Sequence, residues 1–405
     1  MTLSPGKHPA FDWRGRIPTS GEREPRFLNL DRTIRACMRR HGTTGCAVAL
    51  MAGEDCLYRR AFGWSEVGAR PFLATTPCRV ASISKSLTGA AALRLVDEGR
   101  LDLDALALPL LMESGIAPAS LPGRMPDPRL GAIRIRDLLD HATGFPRSAP
   151  YTTTLEMAAA LRSGLPLLPA DVVRYSWGAT DLAAAPGRAF EYANINFVTV
   201  GRILEIITGE PYPALVRRLV LDPAGIGPGE AFVSTNMAGP GDPREAGYYQ
   251  FTPNDFPSLL PGEDGRIGSE PYGGFDPNSM DASGGWALSL DALYRFAAAV
   301  EGDRLFGARA IQALTTPPDY LAGEAGGYTL DRFYSKGFVL YRPPAGVRHL
   351  EHAGMLQHAS AYYGPAGGLQ LVFVANCNRR EEPWLDRVLR EAIMNWLPEA
   401  NAGAL

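Results

Sequence analysis

The sequence predicts an α+β fold in which both ends of the chain form an antiparallel β-sheet and helices fill the middle. Near the N-terminus, the strand-like runs Cys46–Met51 and Leu57–Phe62 are separated by a short segment that is typical of a hairpin. Near the C-terminus, three more strand-like runs occur at Gly337–Tyr341, Ala359–Tyr363 and Leu369–Ala375. Helical patterns lie between and beside these runs, which indicates a sheet flanked by helices.

The helices are indicated by apolar residues at helical spacing and by stop signals such as Gly99 and Gly209. From residue 227 to 285 the chain is instead rich in Gly, Pro, Asp and Tyr, which is typical of a long functional or irregular loop. The predicted helices are Leu28–Arg40, Val80–Glu98, Ile135–His141, Phe197–Thr208, Leu290–Val300 and Trp384–Trp396.

These elements predict three parts in the chain. Residues 1–27 form an N-terminal extension, and residues 28–101 together with 326–405 form the sheet domain. Residues 102–325 form a mainly helical insertion domain, which carries the long loop at about 227–285.

The composition is that of a globular protein without affinity for polyanions. Of the 405 residues, 46% are hydrophobic and 20% are charged, which excludes wholesale disorder. A net charge of −3 offers no basic surface for nucleic acid or for an anionic membrane. The longest apolar runs, Cys46–Ala52 and Leu369–Ala375, are far shorter than the roughly 20 residues that span a bilayer. We therefore expect a soluble protein with no nucleic-acid or membrane partner.

The cysteines indicate a compartment, and the histidines argue against a metal site. Five cysteines, an odd number without a C-x-x-C pair, are typical of buried thiols in a reducing compartment. The first 25 residues contain no apolar stretch of signal-peptide length, so the predicted location is cytoplasmic. The six histidines form neither an H-E-x-x-H motif nor a local cluster with Cys or Asp, so we expect no metal and no other cofactor.

Lysine is rare in this chain, which draws attention to the few that it has. Thirty-seven of its forty basic residues are arginine, and the lysines are Lys7, Lys85 and Lys336. A desolvated lysine can lose its proton, whereas arginine effectively never does. A retained lysine is therefore a candidate for proton transfer.

Lys85 lies three residues after Ser82, which places both side chains on one face of a helix. An uncharged Lys85 amine can take the hydroxyl proton of Ser82, and the positive end of the helix favours the charge that develops on oxygen. This is the S-x-x-K arrangement of active-site-serine acyl enzymes. The pattern alone is not specific, since Ser4 and Lys7 match it in a segment rich in Pro and Gly, and Ser82 can equally be a first-turn helix serine.

A second group of candidates follows the Pro186-Gly187 turn, where Tyr192 and Asn194 directly precede an apolar helix. Beside a cation such as Lys85, Tyr192 is expected to have a lowered pKa and to serve as a general base. Asn194 can offer its amide to a substrate and to Lys85. The alternatives are a half-buried aromatic residue at 192 and a helix N-cap at 194.

The third group is His352-Ala353-Gly354-Met355, close to the strand-like run Ala359–Tyr363. Small residues after His352 allow a strand backbone to approach a ligand, so that an amide N–H faces a carbonyl oxygen. His349 and His358 are expected to be structural.

In this order, the three groups resemble the serine β-lactamase-like superfamily, and especially its class C enzymes, family VIII carboxylesterases and D-amino-acid peptidases. The similarity spans residues 28 to 396 and is weakest over 227–281. It also includes the segment ending in His141-Ala142-Thr143-Gly144, with Thr143 where the family has serine. Further matching blocks are Phe62-Gly63-Trp64, Pro71, Arg79-Val80-Ala81, Ile133–Asp140 and Ala282-Ser283-Gly284-Gly285-Trp286-Ala287-Leu288-Ser289.

The resemblance implies a β-lactamase/transpeptidase-like fold, an α/β/α sandwich with a helical insertion, and a role for each matching residue. Ser82 is the nucleophile that forms an acyl-enzyme, and Lys85 assists its deprotonation. Tyr192 is the general base and later the proton donor to the leaving group. Asn194 orients the substrate. The backbone N–H groups of Ser82 and Met355 form the oxyanion hole.

Two departures from the family separate this chain from the β-lactamases that it resembles. His352 and Ala353 replace the lysine and threonine of the K-T-G strand, so the cation and hydroxyl that hold a β-lactam carboxylate are altered or missing. His352-Ala353-Gly354 is instead similar to the esterase branch, and it occupies the substrate-binding strand.

The sequence thus favours a serine hydrolase, most of all an esterase acting on a small, fairly apolar acyl substrate, either an ester or an amide. The alternative is an acyltransferase, which passes the acyl group to an alcohol or amine acceptor instead of water. Less favoured are a β-lactamase, a D-amino-acid peptidase, and an inactive binding protein on the same fold. Aromatic residues either line an acceptor pocket or pack the long loop, namely Tyr248, Tyr249, Phe251, Phe256, Tyr272 and Phe275.

Overall fold

The structure is a computed structural model, and it confirms the predicted α+β fold. A large antiparallel sheet lies between two layers of helices. The described residues are 13, 15–53, 55–235, 242–250, 255–263, 266–342, 348–378, 387, 390, 391, 393 and 394.

Strands from both ends of the chain form the large sheet. Within the described residues, the large sheet contains nine of the sixteen strands of the protein. The strands, in chain order, are β1 (Thr19–Ser20), β2 (Gly45–Ala52), β3 (Asp55–Glu66), β4 (Arg70–Pro71), β5 (Cys78–Arg79), β6 (Ala231–Val233), β7 (Tyr249–Gln250), β8 (Asp255–Pro257), β9 (Ile267–Ser269), β10 (Trp286–Leu288), β11 (Arg332–Ser335), β12 (Phe338–Tyr341), β13 (His349–Leu356), β14 (Ala359–Ala366), β15 (Leu369–Ala375) and β16 (Cys377–Asn378). The large sheet has the order β1-β3-β2-β15-β14-β13-β12-β11, with β4 paired to β3.

The central strand β2 shows why the sheet is covered on both faces. Ala47, Ala49 and Met51 pack into one core, and Val48 and Leu50 pack into the other. Since successive side chains of a strand point to opposite faces, a continuous apolar run predicts a layer of helices on each side.

The helices form these two layers and the middle of the chain. The helix α1 packs on one face of the sheet, and α2 and α10 pack on the other. The α-helices are α1 (Leu28–His41), α2 (Ser84–Asp97), α3 (Ala107–Glu113), α4 (Ile135–Leu139), α5 (Leu155–Leu161), α6 (Pro169–Ala179), α7 (Asn194–Thr208), α8 (Tyr212–Val216), α9 (Asp281–Gly284), α10 (Leu290–Glu301) and α11 (Ala308–Thr315). Short 3₁₀ turns span Pro25–Phe27, Ala81–Ile83, Pro128–Ala132, Asn278–Met280 and Asp319–Ala322, and a π turn spans Arg217–Leu221.

The predicted helices and strands are present, with shifted ends and some omissions. Strand β11 was not predicted. Strand β13 was expected only from the family resemblance, because Glu351 and His352 interrupt its apolar alternation although both side chains are buried. The segment 227–285, predicted as a loop, contains short strands and helices where it is described. Of the predicted helix Trp384–Trp396, residues 387, 390, 391, 393 and 394 are helical, and the others lie outside the described residues. The division into three parts stays a proposal.

Two general features concern membranes and thiols. Among the described helices, none combines the length and the apolarity that a membrane span requires. All five cysteines are free.

Helix α2 approaches the turn between β11 and β12 so closely that only glycine fits at the contact. A β-carbon on Gly89 would lie 1.8 Å from the carbonyl oxygen of Lys336. Gly337 has a φ of +90°, and a β-carbon there would lie 2.4 Å from the carbonyl oxygen of Lys85. The two glycines therefore set the distance between α2 and the sheet.

We expect Gly89→Ala to lower the free energy of unfolding by about 1–3 kcal/mol, because the added methyl group overpacks a backbone contact. Thermal unfolding at a fixed scan rate measures this as a lower Tm. The matched control is Gly131→Ala, since a β-carbon at Gly131 meets no atom within 4 Å. An unchanged Tm for Gly89→Ala would contradict the close approach.

Candidate active site

Ser82 lies in the 3₁₀ turn that precedes α2. The segment predicted as one helix, Val80–Glu98, is a 3₁₀ turn followed by the α-helix α2. Ala81 has a φ of +48°, which is not helical, so no helix continues from Val80. The Ser82 side chain is half-buried, and no hydrogen bond from its N–H lies within the described residues. Both the hydroxyl and the amide of Ser82 thus remain available to a ligand.

Lys85 is fully buried one turn after Ser82, as its spacing predicts. Its Nζ lies 3.1 Å from Ser82 Oγ and donates a 2.6 Å hydrogen bond to the carbonyl oxygen of Ser283. No carboxylate of the described residues pairs with this amine. Burial, and secondarily the positive charge of Arg147, holds the pKa of Lys85 well below its usual value. The amine beside Ser82 is therefore uncharged over an extended pH range.

Tyr192 completes a cluster with Ser82 and Lys85. Its ring centre lies 5.0 Å from Lys85 Nζ, and its hydroxyl interacts with the Ser82 side chain. The prediction that its pKa is lowered is wrong in direction. Burial raises the pKa of Tyr192 above its usual value, and the interactions with Ser82 and Arg147 offset this only in part. The physical reason is that a desolvated, uncharged Lys85 does not stabilise a phenolate.

The His141 ring packs against the Tyr192 ring, a contact that the sequence did not predict. The two ring centres are 4.2 Å apart. His141 Nδ1 accepts the N–H of Ala193 at 3.3 Å and lies 3.2 Å from Asn196 Nδ2, which places the ring proton on Nε2. Burial lowers the pKa of His141 well below its usual value, so the ring is neutral.

Tyr334 is a second residue that was missed. Its ring lies 4.8 Å from that of His141 and 6.1 Å from that of Tyr192, and its hydroxyl is 3.5 Å from His352 Nε2. It therefore links strand β11 to strand β13. The sequence contains only weak signals for these two residues. His141 lies in a block that matches the family, and Tyr334 comes two residues before the rare lysine Lys336.

Asn194 is the first residue of α7, and Ala193 occupies the N-cap, so the N-cap alternative for Asn194 is wrong. The Asn194 side chain interacts with Tyr151, and its Oδ1 is buried without a hydrogen-bond partner in the described part of the chain. A buried amide oxygen without a partner is available to a donor group of a substrate.

Strand β13 carries the third predicted group to the same place. A β-carbon on Gly354 would lie 1.9 Å from the carbonyl oxygen of Val80 and 3.3 Å from Ser82 N, so Gly354 lets the strand reach the turn that holds Ser82. Ala353 is half-buried, and Met355, the next residue on this strand, is exposed.

His352 is buried and does not replace the family's lysine as a cation. Its Nδ1 lies 2.8 Å from the carbonyl oxygen of Ala353. Burial lowers the pKa of His352 to about 3. The ring is neutral at any pH at which the protein is expected to work.

A buried ionic cluster anchors the chain that leads to Ser82. Arg79 Nε is 3.4 Å from Glu245 Oε1, and Arg79 Nη1 is 3.0 Å from His358 Nε2. His358 Nδ1 is 3.1 Å from Glu270 Oε2, so His358 is structural, as expected. The Tyr248 hydroxyl donates to Glu245 at 2.5 Å.

The loop aromatics serve mainly as packing. Tyr248, Tyr249, Tyr272 and Phe275 are buried, which favours the packing alternative over an acceptor pocket. Phe256 is half-buried. Phe251, like Ser4 and Lys7 of the second S-x-x-K match, lies outside the described residues.

The geometry thus joins a serine hydroxyl, an uncharged amine and a phenol beside a close strand contact. Such a group can transfer an acyl group through serine without a metal. Among the residues that the structure describes, no cluster of His, Cys, Asp and Glu could hold a metal ion.

Comparisons with known proteins identify relatives of this chain. The chain is 31% identical over 155 residues to a probable fimbrial assembly protein FimD of Dichelobacter nodosus, covering 38% of this chain and 35% of that protein. It is 29% identical over 206 residues to the esterase EstB of Burkholderia gladioli, covering 49% of each. The chain thus matches between a third and a half of the length of these curated relatives.

A solved structure extends the similarity over the whole fold. The hydrolase EstCE1, described as having promiscuous acyltransferase activity, superimposes with a TM-score of 0.63 at 19% identity, covering 90% of this chain and 98% of its own. The family model described as Beta-lactamase matches residues 30–393. Since this match includes the turn of Ser82, the Tyr192 segment and strand β13, the chain belongs to the Beta-lactamase family.

Proposed function

We propose that this protein is a serine hydrolase that forms an acyl-enzyme on Ser82 and acts as an esterase on small acyl esters. One observation carries the proposal: Lys85 Nζ lies 3.1 Å from Ser82 Oγ, is buried with no carboxylate partner in the described part of the chain, and has a lowered pKa. An uncharged amine at that distance is a base for the serine hydroxyl. The esterase among the relatives supports the choice of substrate.

In the acylation step, the Ser82 hydroxyl transfers its proton to Lys85 as Oγ attacks the carbonyl carbon of the ester. Ser283 accepts a hydrogen bond from the Lys85 amine, which keeps the amine in place. Tyr192, whose raised pKa keeps it protonated, donates its proton to the departing alkoxide. The phenolate then recovers a proton from the lysinium, which restores both groups.

In the deacylation step, water or another acceptor follows the same route in reverse. Lys85 is uncharged again, so it can remove the proton of the incoming nucleophile. The lysinium, directly or through Tyr192, then returns a proton to Ser82 Oγ as the bond from Oγ to the acyl carbon breaks. Water gives hydrolysis, and an alcohol or amine gives acyl transfer.

Two backbone amides would hold the negative charge of the tetrahedral intermediate. The Ser82 N–H makes no hydrogen bond within the described residues, and Met355 follows Gly354, which contacts the turn that holds Ser82. One such donor contributes about a hundred- to thousandfold to the rate. The Asn194 side chain, whose Oδ1 has no hydrogen-bond partner among the described residues, would orient the substrate.

The uncharged state of His352 favours esters over β-lactams. The strand position that holds a carboxylate in β-lactamases offers a neutral ring and the methyl group of Ala353 in this chain. A β-lactamase or peptidase activity therefore ranks below ester hydrolysis. A cytoplasmic location stays a prediction of the sequence.

We expect Ser82→Ala to lose nearly all turnover of p-nitrophenyl butyrate, on the order of a million-fold in kcat, because the nucleophile is removed. Intact-mass measurement should show an acyl adduct on the unmodified protein and none on the variant. Lys7→Ala is the control, since Lys7 belongs to the other S-x-x-K match. Equal amounts of acyl adduct on the unmodified protein and on Ser82→Ala would contradict the role of Ser82.

The same assay separates hydrolysis from transfer. Fast loss of the adduct in water supports the esterase. A long-lived adduct that added alcohols or amines discharge supports the acyltransferase alternative.

We expect kcat/KM to rise with pH through the lowered pKa of Lys85 and then to stay level, because the amine must be neutral and Tyr192 stays protonated. The measurement is a pH–rate profile from about pH 5 to about pH 9. Tyr192→Phe should lower the plateau and keep the acidic limb. Loss of that limb in Tyr192→Phe would show that Tyr192, and not Lys85, is the base.

A further inference from the structure

Arg147 lies at the exposed mouth of the candidate site. Its guanidinium carbon is 5.9 Å from the centre of the Tyr192 ring, on which Lys85 Nζ also lies. The Arg147 backbone N–H donates to Glu191 Oε1 at 3.0 Å, which fixes the start of the side chain. Arg147 thus faces the ring whose hydroxyl interacts with the nucleophile, and its side chain reaches solvent.

The Arg147 guanidinium has no ion-pair partner among the described residues. Of the described carboxylates, Glu191 accepts the Arg147 backbone N–H, and Glu270, which like Arg147 acts on Tyr151, lies 3.1 Å from His358 Nδ1. Arg332, at the edge of the same aromatic cluster, shows the usual situation, since it pairs with Glu351 at 2.7 Å.

The other basic groups around Tyr192 do not supply a positive charge. Lys85 is buried with a lowered pKa, and burial lowers the pKa of His352 to about 3. Arginine keeps its charge at every working pH. Among the described residues beside the Tyr192 ring, Arg147 is therefore the cation that a bound substrate meets.

We infer that Arg147 binds a carboxylate of the substrate, so that the preferred substrates are acyl esters carrying one carboxylate near the scissile bond. A single guanidinium fork matches a monoanionic carboxylate through two parallel hydrogen bonds. A phosphate dianion would need further donors, and the described mouth offers no second cation. The inference rests on the proposed acyl-enzyme, and it replaces the expectation of a fairly apolar substrate.

The carboxylate belongs either to the acyl part or to the leaving alcohol. Two matched ester pairs distinguish these sources. For the acyl part, mono-p-nitrophenyl adipate is compared with its methyl-capped diester. For the leaving group, the butyrate ester of p-hydroxybenzoate is compared with the butyrate ester of methyl p-hydroxybenzoate.

The experiment measures kcat/KM for both members of each pair with the unmodified protein, Arg147→Gln, Arg147→Lys and the control Arg23→Gln. Arg23 is an exposed arginine without an ion pair in the described residues, so its variant removes the same charge elsewhere. The ratio within a pair cancels any effect of Arg147 on the pKa of Lys85.

We expect the unmodified protein and Arg23→Gln to prefer the charged member of one pair by about tenfold, mainly through KM. Arg147→Gln should bring that ratio to about one, and Arg147→Lys should keep part of it because the charge stays and the fork is lost. Added salt at about 0.5 M should reduce the preference.

Two results would overturn the inference in different ways. Equal ratios for the unmodified protein and Arg147→Gln, with normal acylation of Ser82, would remove the role of Arg147 and leave the proposed function intact. Absence of an acyl adduct with every ester would remove the proposed function and this inference together.

Discussion

The burial of the Lys85 amine without a counter-charge among the described residues is the constraint on which the rest of the site depends. A charged amine in this position would lose its hydration and gain only neutral neighbours, namely the Ser283 carbonyl oxygen, the Ser82 hydroxyl and the Tyr192 ring, so the neutral form is favoured. Keeping water away from the amine requires close packing on every side. The tight contacts of Gly89 and Gly337 with the neighbouring backbone provide this packing, because any side chain there would push α2 away from the sheet.

The second buried lysine shows that burial alone does not make a base. Lys336 Nζ lies 2.7 Å from Asp140 Oδ2, and its backbone N–H donates to Asp140 Oδ1 at 3.1 Å. This ion pair fastens the turn between β11 and β12 to the end of α4, directly before His141. Lys336 thus holds the scaffold that places His141 against Tyr192, whereas Lys85, which has no carboxylate partner in the described chain, is the base of the proposed acylation step.

Local patterns predicted the parts of the site that depend on local geometry. The spacing of Ser82 and Lys85 follows from helical periodicity, and the small residues after His352 follow from the need of a strand to approach closely. The predicted shift in the pKa of Tyr192 was wrong in direction. The direction of this shift depends on whether the neighbouring lysine is charged, and the charge of that lysine depends on packing by distant segments. His141 and Tyr334 were missed for the same reason, since an aromatic contact between residues far apart in sequence leaves no periodic signal.

The two basic residues that flank the Tyr192 ring have different tasks because they differ in hydration and in chemistry. The inner residue, Lys85, is buried and can exist without its proton. The outer residue, Arg147, is exposed and keeps its charge. The charge of Arg147 lowers the pKa of Lys85, so it favours the neutral amine even before a ligand binds. Exchanging the two residue types would remove both effects, since a buried guanidinium cannot accept the Ser82 proton and an exposed amine offers no planar fork. The strong preference of this chain for arginine elsewhere is therefore consistent with a chemical reason for lysine at position 85.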